Sequence, residues 1–124
     1  MDLANPAIYW LCLQISKGNN KPFYNQNSIE MKTYLIQRNV PGAGKFTAAE
    51  RKALAQRSCE VLEQLGPQIQ WLHSYITDDN LFCVYKAENV ELVREHARRG
   101  DFPANYILEV YSTISPATAE IAVV

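Results

Sequence analysis

The stretch from Ile69 to Glu88, IQWLHSYITDDNLFCVYKAE, limits the fold more than any other part of the chain. Asp78, Asp79 and Asn80 supply turn chemistry between two runs rich in aromatic and β-branched residues, so the segment reads as a β-hairpin. Both parities of each run carry apolar side chains, whereas a strand wetted on one face alternates apolar with polar. Both faces of this hairpin therefore need cover. An even-length turn puts Leu72, Ser74, Ile76, Leu81, Cys83, Tyr85 and Ala87 on one face. Trp71, His73, Tyr75, Thr77, Phe82, Val84, Lys86 and Glu88 then share the other. The first set is smaller and more aliphatic, which assigns it to a layer of helices.

The flanks supply those helices. MKTYLIQRN (31–39) is short and rich in β-formers, and reads as a strand followed by the turn VPGAGKF. TAAE (47–50) is a capping box, in which Thr47 and Glu50 satisfy each other's backbone amides. The helix it opens carries Leu54, Ser58, Val61, Leu62 and Leu65 on one stripe and stops at Gly66-Pro67. Asn89 caps a second helix that runs to Gly100. FPAN connects it to a last strand, YILEVYSTI (106–114), and the tail begins at the strand-breaking Pro116. From Met31 the order is β-α-β-β-α-β. That is an α+β, ferredoxin-like arrangement, with two helices on one face of a four-stranded antiparallel sheet. A second copy of the chain is the economical cover for the other face, so a homodimer is expected.

Residues 1–30 form an extension to this domain, 31–115 the domain itself and 116–124 a tail. Within the extension, AIYWLCLQI (7–15) reads as a short apolar helix. It is far below the ~20 residues of a membrane span and lacks the basic flank and cleavage site of a signal peptide. The net charge of −1 gives no electrostatic reason to expect nucleic acid or an anionic membrane as partner. Three cysteines (Cys12, Cys59 and Cys83) with no CxxC pair read as a reduced set in a cytoplasmic protein.

In LVREHARRGDFP (92–103), Leu92, Val93, His96 and Ala97 share one helical face, and the charged residues take the rest. His96 thus points inward, toward Ser74, Cys83 and Tyr85. The ordinary role for such an imidazole is a core group bonded to a hydroxyl or carbonyl. The sharper role is as a ligand or base. His73 falls on the opposite sheet face, with Tyr75, Lys86 and Glu88. The chain has only two histidines, so a metal shell needs carboxylate, thiolate, water or a partner chain as well. The candidate metal ligands are His96, His73, Cys83 and Glu88. PGAGKFT (41–47) sits between a strand and a helix, as a phosphate loop does. It departs from the Walker pattern at Asn39 and Phe46, so no nucleotide site is assigned.

Taken together, PGAGKFT, GPQIQWLHSYITDDNLFCVYKAEN and REHARRGDFPAN resemble a small bacterial ferredoxin-like domain family of unknown function that includes a nickel-binding protein. The resemblance spans residues 31 to 115. It implies a homodimer and a role in binding nickel or another divalent transition metal. His96 and His73 both lie within the matching blocks. Two other functions are carried forward. One is a cofactor-independent oxygenase or isomerase that uses the dimer cavity, with His73 or His96 as base and Tyr75 or Tyr85 positioning substrate. The other is a non-catalytic interaction module.

Overall fold

The computed structural model describes residues 30–123, so the apolar helix expected at 7–15 lies outside the described residues. Four strands, β1 (Lys32–Asn39), β2 (Ile69–Ile76), β3 (Asn80–Ala87) and β4 (Tyr106–Val110), alternate with two helices, α1 (Ala48–Leu65) and α2 (Val90–Gly100). All pairings are antiparallel, and the sheet order is β2-β3-β1-β4. Tyr34, Ile36, Leu81, Cys83 and Tyr85 from the sheet share one core with Cys59 and Leu62 of α1 and Val93 of α2. Both helices therefore lie on the same side of an α+β sheet.

The local signals act as the sequence implies. Glu50 Oε1 accepts from the Thr47 amide at 2.8 Å, and Thr47 Oγ1 accepts from the Glu50 amide at 3.1 Å. Asn89 Oδ1 accepts from the Leu92 amide at 3.0 Å, and the Gly66 amide donates to the Leu62 carbonyl at 3.0 Å. The glycine loop has a structural task. Gly42 takes a left-handed φ of 78° and donates its amide to Asp79 Oδ1. Gly44 approaches the hairpin turn so closely that a Cβ there would lie 3.0 Å from the Asp78 Cα. The loop amides that a phosphate would use thus serve to pin the loop to the β2–β3 turn.

Three expectations need correction. Strict alternation along β2 fails at Leu72. Trp71 pairs with Tyr85 but His73 pairs with Val84, which leaves Leu72 as the extra residue of a β-bulge. Residues after the bulge keep the predicted parity. Trp71 before it turns to the helix side, where its Nε1 donates to Ser74 Oγ at 3.0 Å. The last strand ends at Val110 rather than at residue 114. Val110 already pairs with Thr33, so only Lys32 of β1 lies beyond that pair to meet Tyr111 onward. Instead, Pro116–Glu120 forms a 3-10 turn. The described cysteines also differ from a fully reduced set: Cys59 is disulfide-bonded, while Cys83 is a buried free thiol. No helix among the described residues is long and apolar enough to cross a membrane.

Candidate functional site

Four buried polar groups meet between the helices and the sheet. His96 is on the inward stripe of α2 and Ser58 on that of α1, while Arg38 and Tyr85 stand on the helix side of β1 and β3. His96 is fully buried, with its Nε2 3.1 Å from Ser58 Oγ and its Nδ1 without a hydrogen-bond partner. Ser58 Oγ also lies 3.5 Å from the Tyr85 hydroxyl. The imidazole is held between two rings, with centroids 5.0 Å from Tyr85 and 5.3 Å from Phe102.

Electrostatics follow from burial. Loss of solvent, reinforced by the nearby Arg38 charge, lowers the His96 pKa to about 4. Burial pushes the Tyr85 phenol up to about 12 against the opposing pull of Arg38. Both groups are therefore uncharged at neutral pH. The Ser58–His96 distance suits a nucleophile–base pair, but a base at about 4 takes little proton near pH 7. Its Nδ1 also lacks the partner that orients the imidazole in such pairs.

The expected neighbours of His96 are corrected in part. Tyr85 is beside it, but Ser74 bonds Trp71, and Cys83 Sγ accepts from Arg38 Nε at 3.4 Å. The partner not anticipated is Ser58, although it lay on the inward stripe of α1. Arg38 was missed altogether. It is only 3% exposed. Its signal was the parity of β1, which sets Arg38 on the face of Tyr34 and Ile36.

His73 stands exposed on the open face of the sheet, opposite Val84 and edge-on to the Tyr75 ring at 5.0 Å. Glu88 sits past the far end of β3, its amide bonded to the Gln68 carbonyl. Four residues along the strand separate Glu88 from Val84, on the order of 13 Å. The four candidate ligands thus occupy different places: His96 and Cys83 under the helices, His73 on the open face and Glu88 at a strand end. Among the described residues, no three His, Cys, Asp or Glu side chains converge to hold a metal ion. One chain's described residues therefore do not make a nickel shell by themselves.

No curated protein and no solved structure matches the chain. A family model does: the one described as "Nickel responsive protein SCO4226-like" matches residues 34–110, more than half of the 124 residues. The match runs from Tyr34 in β1 to the end of β4 and so takes in both helices, the hairpin and both histidines. The chain belongs to the nickel responsive protein SCO4226-like family.

Proposed function

We propose that the chain is a ferredoxin-like domain, residues 31–115, that pairs with a second copy through its open sheet face. In this dimer it binds nickel or another divalent transition metal between the copies. The observation that carries the proposal is the exposed His73 imidazole on an otherwise largely apolar face. Tyr75, Tyr106 and Leu108 on that face are 60%, 62% and 56% exposed, and Leu35, Phe82 and Val84 are half-buried. Two-fold pairing sets a surface against its own copy, so it can bring one His73 toward the other. That supplies the second imidazole a single chain lacks on this face. Each ring would donate a neutral nitrogen, as imidazole ligands of nickel do. Cys83 and Glu88 stand outside this site, and His96 serves the core.

The test is a thermal melt of untagged protein with and without nickel. A ligand that binds only the folded state raises its melting temperature by mass action. Nickel should raise the wild-type melt, and the rise should vanish in His73→Ala while the apo melt stays near wild type. In His96→Ala the apo melt should fall and the nickel-dependent rise remain. No rise in wild type, or a full rise in His73→Ala, overturns the proposal.

A further inference from the structure

Beside the His96 cluster, a cavity of about 130 Å³ opens between α1 and the helix side of the sheet. Its walls are mostly apolar, with Leu54, Trp71, Leu81 and Tyr85 among them, yet Arg38 and Arg51 both line it and no acidic side chain does. Arg38 is the unusual wall. Nε donates to Cys83 Sγ and Nη1 to the Pro103 carbonyl at 2.6 Å, while the buried Nη2 has no hydrogen-bond partner. No carboxylate pairs with Arg38 among the described residues. The Tyr85 and Phe102 rings face its guanidinium at 6.0 and 5.3 Å, which softens the charge without neutralising it. Arginine stays protonated in proteins, so this is a buried cation with part of its planar fork unused. Such a charge is costly to bury unless something pairs with it.

We infer that the cavity is a binding site for a small organic carboxylate with an apolar body, its carboxylate received by Arg38. The fork of a guanidinium matches a carboxylate in shape and charge. Size sets the body: an apolar cavity of roughly 150 Å³ takes benzene, and this one is close to it. Arg51, at an exposed position on α1, adds positive charge for an entering anion. The site lies on the opposite side of the sheet from His73 and is independent of nickel.

The experiment is a calorimetric titration of the full, nickel-free chain with benzoate, benzamide and inorganic phosphate. Benzoate should saturate one site per chain. The neutral benzamide and the body-less phosphate should each bind at least about tenfold more weakly, the low end of what a hydrogen bond to a charged group contributes. Arg38→Met should lose benzoate by a similar factor and melt no lower than wild type, since the unpaired charge is gone. Ala55→Leu, which fills the cavity from α1 and leaves Arg38 in place, should lose it as well. If Arg38→Met does not fold, Ala55→Leu and the benzamide comparison decide. Non-saturating benzoate, equal affinity for benzamide or phosphate, or full affinity in Ala55→Leu overturns the inference.

Discussion

At the scale of single residues, His96 is a proton-linked stability element. Its folded pKa of about 4 lies below the ordinary 6.5, so the unfolded chain binds the proton more tightly. Stability from this group is fully present above pH 6.5 and is lost as pH falls toward 4. The shift corresponds to about 3 kcal/mol. Denaturant unfolding at pH 7 and pH 4 should show a loss of that order, and His96→Phe should flatten it. Ser58→Ala removes the partner of Nε2 and leaves a second orphaned nitrogen on the ring. It should cost about 1–3 kcal/mol at pH 7, read by the same unfolding measurement. Glu95 differs. Hydrogen bonds from Arg98 and Arg99 hold its carboxyl down at about 2, but these are surface ion pairs on a partly exposed carboxylate, so its neutralisation should change the melt little. That His96 points inward was legible from its place between Val93 and Ala97. Its partner was not, because three hydroxyl-bearing residues reach the same layer and only packing chooses Ser58.

Individual elements show where pattern reading holds and where it stops. Both helix starts were legible because capping is local chemistry, decided within four residues. The face of Trp71 was not, because nothing in WLHS marks Leu72 as the bulged residue; a bulge answers to the neighbouring strand's register. The end of β4 was hidden for a related reason: YSTI has the composition of a strand, but a strand also needs a partner, and beyond Thr33 only Lys32 of β1 remains. Gly100 gives another example. The left-handed residue closing α2 is Asp101, with φ 56°, while Gly100 is itself helical. Glycine stands there for room, since a Cβ would meet the Phe102 ring at 2.0 Å. Phe102 in turn stacks on His96 and lies 4.6 Å from the Arg57 guanidinium. Gly100→Ala should therefore cost about 1–3 kcal/mol despite the better helix propensity of alanine, as overpacking does. A melt at or above wild type would contradict this packing.

For the molecule as a whole, the sheet divides two environments. One side is a dry core with a buried cation. The other is an apolar surface that no described residue of the same chain covers. The α+β architecture was legible because both parities of the hairpin demanded cover. The identity of the cover was not, because it does not lie in one chain's described residues. If a second copy supplies it, charge on that surface should act on association and not on folding. Val84→Lys and Leu108→Lys should sediment as monomers at micromolar concentration where wild type is a dimer. Their melts, extrapolated to low concentration, should stay close to wild type, since both side chains face outward. A wild-type monomer, or dimeric variants, would assign the surface another occupant.

The bulge at Leu72 also sets what kinds of inherited change β2 can accept. Substitution at this partly exposed position alters a side chain and nothing else. Loss of the residue is equally mild for the faces: Trp71 and His73 already oppose the consecutive residues Tyr85 and Val84, so deletion restores an unbroken pleat without turning the strand. Ile69 and Trp71 would stay on the helix side opposite Ala87 and Tyr85, Gln70 on the open side opposite Lys86, and His73 would keep its place. Descendants of this chain are therefore free to vary the letter at 72 or to lose it, whereas loss of Gln70 would turn Ile69 out of the core.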